Sequence, residues 1–370
     1  MNSPADNDQR IPITLLAGFL GAGKTTLVNR ILSRPDSGKI AVIVNEFGEV
    51  GIDGDLISQA SEDMLELSNG CICCSSKDDL MESLYKLYMR KAGLSGPKIE
   101  FDRVLIETTG IANPLPLAQA FYTDMSLSLT YRLDAIVALV DLRHVEAQLH
   151  HAPEAERQIA LADKIIFNKR DLVDAEQYDA ATSLVQALNP LAVKTTVSFG
   201  NVTAAELLDL GLFDPGTRET AIASWIGMES EQTPSLAHES CALCKSGEHH
   251  HHNNHSHPHV DVSSVSFREP EALDYEKFLT FLTRLTQEHG TNLYRVKGLI
   301  KLFGSDRPII VQGVQHVFSP LTYADAWPRG LAETRLVVIG KSLERERIVS
   351  SFNACIASGA VAVKHGVVMV

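Results

Sequence analysis

Residues 18–25, with the sequence GFLGAGKT, constrain the fold of this chain more than any other segment. They match the phosphate-binding pattern GxxxxGK[ST] at every fixed position, between a short apolar run at 13–17 and a helical stretch at 24–33. In a strand–loop–helix unit of this kind, the backbone N–H groups of the loop wrap around phosphate oxygens. A glycine-rich turn that binds nothing would not need every fixed residue of this pattern. The sequence therefore predicts a P-loop nucleotide-binding domain.

The rest of the first 200 residues alternates between apolar runs and helical segments. The runs are apolar throughout, as in strands that are buried on both faces of a parallel sheet. The alternation predicts an α/β fold, the doubly wound and mostly parallel sheet of a P-loop NTPase. The expected strands are 40–44, 104–106, 135–140, 164–167 and 192–197, and the expected helices are 76–91, 114–122 and 178–188.

The composition changes after this region, where Glu, Ser, Thr, Pro and His dominate and no apolar period is visible. A segment of this kind cannot bury enough apolar surface to fold, which indicates a flexible linker. A smaller C-terminal α+β domain is expected beyond it, with strands at 262–267, 293–303, 309–318 and 335–339 and helices at 271–288 and 343–355. The predicted division is a disordered tail (1–10), a P-loop nucleotide-binding domain (11–228), a histidine-rich linker (229–260) and a C-terminal domain (261–370).

Roles within the phosphate-binding loop follow from its chemistry. Lys24 is expected to neutralise the β- and γ-phosphate oxygens, and the Thr25 hydroxyl to bind Mg²⁺. The backbone N–H groups of the loop should surround the phosphates. The predicted nucleotide-binding residues here are Gly18, Gly21, Ala22, Gly23, Lys24, Thr25 and Thr26.

A second motif predicts the base. Asn168, Lys169 and Asp171 match the NKxD pattern of GTPases at the end of an apolar run. The Asp171 carboxylate can accept hydrogen bonds from N1–H and the N2 amino group of guanine, and adenine lacks this pair of donors. Four residues alone are a weak signal, but downstream of a P-loop and at a strand end they predict GTP.

The segment ETTG stands where GTPases carry DxxG. Glu107 is expected to hold Mg²⁺, and the Gly110 N–H to contact the γ-phosphate. Position 111 is Ile, whereas many small GTPases place there a glutamine that orients the attacking water. Lys24, Thr25, Glu107 and Gly110 are thus the predicted catalytic groups, and we expect slow hydrolysis without a metal or partner.

Cys71, Cys73 and Cys74 form a Cys-x-Cys-Cys element in the same domain. Three thiolates suit a soft or borderline divalent ion and leave one tetrahedral position open, which favours transfer of the metal over storage. Two alternatives remain: inert cysteines in a core and a redox-active dithiol.

The linker offers further metal ligands. Cys241 and Cys244 precede a histidine-rich tract, and eight of the 14 histidines in the chain fall at 238–259. Imidazoles at this density bind Zn²⁺, Ni²⁺ or Co²⁺ with low selectivity, which indicates a loading arm, and an internal, interrupted tract does not look like a purification tag. The expected ligands are His249, His250, His251, His252, His255, His257 and His259. Cys355, by contrast, lies in an apolar stretch and is expected in the core.

Together these motifs resemble the CobW-type metallochaperone GTPases, relatives of the nickel-delivery proteins UreG and HypB. The similar segments are 18–25, 45–53, 69–74, 107–114 and 168–171, with 295–298 and 311–314 in the C-terminal part. The resemblance implies GTP hydrolysis coupled to delivery of a divalent metal to a client metalloprotein. It implies Zn²⁺ most often, with Co²⁺ for cobalamin synthesis as the alternative. It also identifies 45–53 as a switch whose Glu46, Glu49 and Asp53 could sense metal or phosphate, although a charged loop without such a role stays open.

Composition limits the partners. The net charge of −13 argues against nucleic acid or an anionic membrane as the main partner. No apolar run reaches the roughly 20 residues of a membrane helix, and the N-terminus has no signal-peptide core, so a cytoplasmic protein is expected. Two other hypotheses remain, a histidine-rich metal store and a metal-free regulatory GTPase, and the oligomeric state is open, a homodimer included.

Overall fold

The first sheet has six strands, all parallel. The structure, a computed structural model, describes residues 8–34, 38–45, 77–214, 262–328 and 332–357. The spatial order of the strands is β2-β3-β1-β4-β5-β6. The strands are β1 (Ile11–Ala17), β2 (Ile40–Asn45), β3 (Arg103–Thr108), β4 (Tyr131–Asp141), β5 (Lys164–Asn168) and β6 (Val193–Thr196).

Helices cover both faces of this sheet. Successive residues of one strand enter two different apolar clusters: Leu15 of β1 belongs to one and Leu16 to the other. Because side chains alternate between the two faces of a strand, both faces are buried, which explains the unbroken apolar runs in the sequence. The doubly wound α/β prediction is confirmed. The helices are α1 (Lys24–Leu32), α2 (Lys77–Lys91), α3 (Leu115–Thr123), α4 (Met125–Thr130), α5 (Val145–His151), α6 (Pro153–Leu161), α7 (Ala175–Leu188) and α8 (Ala204–Leu207).

The strand order places the predicted motifs together. β1 lies between β3 and β4, and β5 follows β4. Since all these strands are parallel, the loops that leave their carboxyl ends meet at one edge of the sheet. The chain leaves β1 and β4 in opposite directions along the sheet, so a crevice opens there, where ligands bind in folds of this class.

A second, antiparallel sheet follows in the chain, with the order β10-β9-β8-β12-β7 and β11 paired to β9. Two helices pack on one of its faces, and Cys355 is only 1% exposed in the core between them. Burial raises the pKa of the Cys355 thiol to about 11, in keeping with a core role. The elements are β7 (Val262–Glu269), α9 (Tyr275–His289), β8 (Leu293–Ile300), β9 (Ile309–Val314), β10 (Val317–Phe318), β11 (Thr322–Tyr323), β12 (Thr334–Lys341) and α10 (Arg345–Asn353).

Two predictions in this part of the chain were wrong in detail. The stretch 309–318 is a hairpin of β9 and β10, which turns at Gln315 with a φ of +56°. The expected helix 271–288 begins later, at Tyr275, because Asp274 caps it: its side chain accepts a hydrogen bond from the Lys277 N–H. Leu273 just before the cap instead bridges to Leu302 and Ile356.

The other face of the second sheet packs against the first domain. Val262, Tyr294, Val314, Val337 and Ile339 belong to the same apolar cluster as the strands of the first sheet. The two sheets therefore share a buried, mainly apolar interface. Within the described ranges, no helix is long and apolar enough to cross a membrane.

Candidate nucleotide-binding site

The phosphate-binding loop has a backbone that its glycines make possible. Gly18 has a φ of +148°, and a Cβ there would lie 2.5 Å from the carbonyl oxygen of Leu139. Gly23 has a φ of +99° and caps α1 without any side-chain hydrogen bond to the first turn. The N–H groups of that turn have no intrahelical acceptor, so an anion bound in the loop would complete their hydrogen bonding.

Lys24 points its ammonium into the loop. Its Nζ atom donates to the carbonyl oxygen of Gly18 at 2.7 Å, and the residue is only 8% exposed. A buried ammonium at this position places a positive charge where the loop would hold phosphate oxygens. The geometry fits the role that the motif predicts for Lys24.

Thr25 and Glu107 lie together across the β1–β3 pair. The Thr25 hydroxyl donates to Oε1 of Glu107 at 2.9 Å, and Glu107 is 5% exposed. Register explains the contact, because Leu16 pairs with Glu107 and the loop then carries Thr25 back over the strand ends. A hydroxyl and a carboxylate oxygen are hard ligands of the kind that Mg²⁺ prefers. These two residues therefore fit a magnesium ion bound with a nucleotide.

The ETTG segment passes directly over the phosphate-binding loop. A Cβ on Gly110 would lie 2.5 Å from Cδ2 of Leu20 and 2.6 Å from its backbone nitrogen, so only glycine fits this crossing. The carbonyl oxygens of Gly110 and Ala112 accept hydrogen bonds from the side chain of Gln158. Ile111 is 52% exposed and carries no group that could orient a water molecule.

The NKxD motif ties the base-binding region to the phosphate-binding loop. The Asn168 amide donates to the carbonyl oxygen of Ala22 at 2.9 Å, and its oxygen accepts from the Gly200 N–H at 2.9 Å. Lys169, with a φ of +63°, donates to the carbonyl oxygen of Gly21 at 2.8 Å. Asp171 is exposed at the edge of the crevice, and its carboxylate accepts no hydrogen bond from the described residues.

Two residues of this site were missed by reasoning from the sequence. Asp141, at the end of β4, accepts a hydrogen bond from Lys169 at 2.8 Å and is 2% exposed. Burial alone would raise the pKa of Asp141, but the hydrogen bonds with Lys169 and His144 hold that pKa below its ordinary value. Gly200 lies in the loop after β6. The only signal in the sequence was that this loop follows the next strand after the one that ends at the NKxD motif.

The structure thus brings together the predicted residues Gly18, Gly21, Ala22, Gly23, Lys24, Thr25, Thr26, Glu107, Gly110, Asn168, Lys169 and Asp171. The predicted metal-binding residues lie outside the described ranges, apart from Thr25 and Glu107, the two expected to hold Mg²⁺. Those outside are Cys71, Cys73, Cys74, Glu46, Glu49, Asp53, His249, His250, His251, His252, His255, His257 and His259. Among the residues that are described, no group of three or more His, Cys, Asp or Glu side chains could hold a metal ion.

Comparison with known proteins agrees with this geometry. Residues 12–195 match the model of the CobW/HypB/UreG nucleotide-binding domain, and residues 262–356 match the CobW C-terminal domain. The zinc chaperone YjiA of Escherichia coli is 32% identical over 343 residues, which cover 92% of this chain and 98% of YjiA. The zinc-regulated GTPase metalloprotein activator 1 of Schizosaccharomyces pombe is 32% identical over 360 residues, covering 90% and 83% of the two chains.

A solved structure supports the same relationship over both domains. The crystal structure of Zn(II)-bound YjiA GTPase from Escherichia coli superposes with a TM-score of 0.70 at 29% identity, covering 94% of this chain and 99% of the YjiA chain. The nucleotide motifs, the two sheets and these matches agree along nearly the whole length. The chain therefore belongs to the CobW/HypB/UreG family of P-loop GTPases.

Proposed function

We propose that this protein is a metallochaperone that hydrolyses GTP, binds a divalent metal at its Cys-x-Cys-Cys element and delivers it to a client metalloprotein. The observation that carries the proposal is the assembled crevice, in which Lys24, the Thr25–Glu107 pair and the Asn168 amide meet around one phosphate-binding loop. Zn²⁺ is the proposed cargo because YjiA is named a zinc chaperone and the Schizosaccharomyces pombe relative a zinc-regulated activator, and Co²⁺ is the alternative.

Nucleotide binding follows from the chemistry of the crevice. The phosphates would lie on the first turn of α1 beside Lys24, and guanine beside Asp171. Mg²⁺, held through Thr25 and Glu107, would neutralise charge that develops on the phosphates. Asn168 joins the two halves, since it bonds both the phosphate-binding loop and the loop of Gly200.

Hydrolysis is expected to be slow in the isolated protein. The side chain at 111 is apolar and exposed, so it can neither accept a proton nor hold a water molecule by hydrogen bonds. Electrostatic stabilisation by Lys24 and Mg²⁺ then acts without an oriented nucleophile. We expect metal, client or a second copy of the chain to raise the rate.

The metal site is proposed on chemistry. Three thiolates at 71, 73 and 74 suit Zn²⁺, and a metal shell with an open position favours transfer. If GTP tightens metal binding, metal must tighten GTP binding by the same factor. The switch carboxylates Glu46, Glu49 and Asp53 are proposed to respond to both ligands.

One experiment tests the central claim. Zinc affinity is measured by competition with a chromogenic chelator for protein loaded with a non-hydrolysable GTP analogue or with GDP. Tighter zinc binding in the analogue state, which the variant carrying Cys73→Ser and Cys74→Ser loses, supports the proposal. Equal affinities in the two nucleotide states would refute the coupling.

The histidine-rich segment favours a second candidate, a metal store. Deletion of residues 245–259 separates the two functions by the number of zinc ions that remain bound at equilibrium. A store should lose most of its bound metal, whereas a chaperone should keep one tight site that depends on cysteines 71, 73 and 74.

The wider setting is also proposed. The domain boundaries 11–228, 229–260 and 261–370 are expected to hold, with the middle segment acting as a metal-loading arm. We propose a cytoplasmic protein that works with a client and without nucleic acid, and a homodimer is a further candidate state that sedimentation of the nucleotide-bound protein would test.

A further inference from the structure

Helix α6 contacts two distant parts of the molecule with side chains on opposite sides. Gln158 faces the loop that carries Gly110, and Glu156 faces the C-terminal domain. Residues two positions apart in a helix point about 200° away from each other around the helix axis, so this one short helix can contact both partners. No motif in the sequence points to this helix.

Gln158 holds the Gly110 loop through both protons of its amide. Its Nε2 atom donates to the carbonyl oxygen of Gly110 at 3.0 Å and to that of Ala112 at 2.9 Å. The side chain is 1% exposed, so water does not compete for these hydrogen bonds. On its other side, Gly110 is in contact with Leu20 of the phosphate-binding loop. The position of Gly110 is thus set by the phosphate-binding loop and by α6 together.

The Gln158 amide borders a small gap beneath the phosphate-binding loop. It lines this gap, which has room for about one water molecule, together with Gly18, Phe19 and Leu139. Its Oε1 atom is buried and has no hydrogen-bond partner among the described residues.

Glu156 connects the same helix to the C-terminal domain. Its carboxylate accepts a hydrogen bond from the backbone N–H of Val262 at 2.7 Å, and the residue is 6% exposed. Val262 is the first residue of β7, where the chain enters the C-terminal sheet. Movement of α6 would therefore act on the point where that sheet begins.

We propose that Gln158 is a positioning residue for the Gly110 loop, and that α6 transmits the nucleotide state of that loop to the start of the C-terminal sheet at Val262. The inference rests on the proposed GTPase function, since it requires Gly110 to contact the γ-phosphate. With GTP bound, Gly110 is drawn to the phosphate and the two hydrogen bonds of Gln158 fix α6. With GDP bound, the loop relaxes and the helix follows it.

The test is hydrogen exchange of the full-length protein, compared between a non-hydrolysable GTP analogue and GDP. The peptide containing Val262 should exchange more slowly in one nucleotide state than in the other. Gln158→Leu should abolish this difference and reduce the ratio of analogue affinity to GDP affinity by roughly fivefold or more, the lower end of typical couplings between sites. GDP affinity itself should change little.

Controls separate coupling from structural damage. Gln148→Leu changes the same residue type beside the same gap, where Gln148 has no side-chain hydrogen bond within the described residues, and should behave as wild type. Gln158→Glu places a carboxylate against two carbonyl oxygens and should also uncouple the sites. Glu156→Ala should keep the affinity ratio of wild type more closely than Gln158→Leu but lose the exchange difference at Val262.

The possible failures can be told apart. A wild-type protein that binds neither nucleotide contradicts the proposed function itself. A wild-type protein that binds both but shows equal exchange at Val262 overturns the coupling alone, whether or not the variants fold. Survival of the exchange difference in folded Gln158→Leu protein would overturn the role of Gln158.

Discussion

Asp163 forms a buried ionic contact between the two domains. Its Oδ1 atom lies 3.0 Å from Nη2 of Arg295 and 2.6 Å from Nζ of Lys297, and its Oδ2 atom accepts from the Ile136 N–H at 2.9 Å. All three charged side chains are at most 3% exposed. The guanidinium of Arg295 also lies over the ring of Phe213, 4.4 Å from its centroid. Asp163→Asn would therefore remove the negative charge that both buried cations contact.

The expected loss is large because these charges are fully buried. Removing one partner of a buried ionic contact typically costs about 3–5 kcal/mol, since the remaining charge keeps its desolvation cost. The Asn side chain keeps one acceptor oxygen, but its NH2 group must then face one of the donors that the second carboxylate oxygen contacted. For a domain of this size we expect the melting temperature to fall by roughly 6–20 °C.

The assay is thermal unfolding of the full-length protein, followed by circular dichroism and by calorimetry. Glu100→Gln is the matched control, because it breaks an ion pair with Lys39 whose side chains are 53% and 66% exposed, and it should leave the melting temperature almost unchanged. The double variant Asp163→Asn with Lys297→Met should recover part of the loss, because it removes one uncompensated cation. If Asp163→Asn had the same melting temperature as Glu100→Gln, a strong stabilising role for the Asp163 contacts would be refuted.

Three further predictions concern the nucleotide site and the pH dependence of stability. Asn168→Ala removes the hydrogen bonds to Ala22 and Gly200, so titration with fluorescent nucleotides should show GTP and GDP affinity falling by similar factors; a loss for GTP alone would contradict this reading. Gly110→Ala forces a Cβ against the backbone of Leu20, so GDP binding should persist while the rate of GTP hydrolysis falls sharply. An unchanged hydrolysis rate would contradict the close contact between Gly110 and the phosphate-binding loop. Burial lowers the pKa of Lys194 from its ordinary 10.5 to about 8, so between these two pH values the unfolded chain binds more protons at this residue than the folded protein does. The stability of wild type relative to Lys194→Met, measured by urea titration, should therefore rise with pH across this window. A difference that stays flat or falls with pH would show that the pKa of Lys194 is not lowered.

Much of the first domain could be predicted because its signals are local. The strands are apolar on both faces, so each appears in the sequence as an unbroken run, and the phosphate-binding loop needs glycine where its backbone has positive φ. Asn168 and Lys169 were found through a fixed spacing. Their bonds to Ala22 and Gly21 could not be read from that spacing, because the pairs lie well over a hundred residues apart.

The features that were missed are contacts between distant residues or turns with unusual residues. Gln158, Glu156 and Asp163 contact groups 48, 106 and 132 positions away, which leaves no periodic trace in the sequence. The hairpin turn of β9 and β10 carries Gln315 at positive φ, where two-residue turns usually have Gly, Asn or Asp. The sequence therefore predicted one continuous strand over 309–318.

The position of α6 separates two kinds of contact between the domains. Its nine residues span about 14 Å. The helix follows α5, which comes after the end of β4 near the nucleotide crevice, and it leads to the start of β5 at the opposite edge of the sheet. Asp163 lies at that far edge, where its ionic contacts do not involve any loop of the crevice. Gln158 lies within the helix and bonds the Gly110 loop directly. Loss of Asp163 should therefore weaken the attachment of the domains in both nucleotide states alike, whereas loss of Gln158 should leave the attachment intact and remove its dependence on the nucleotide.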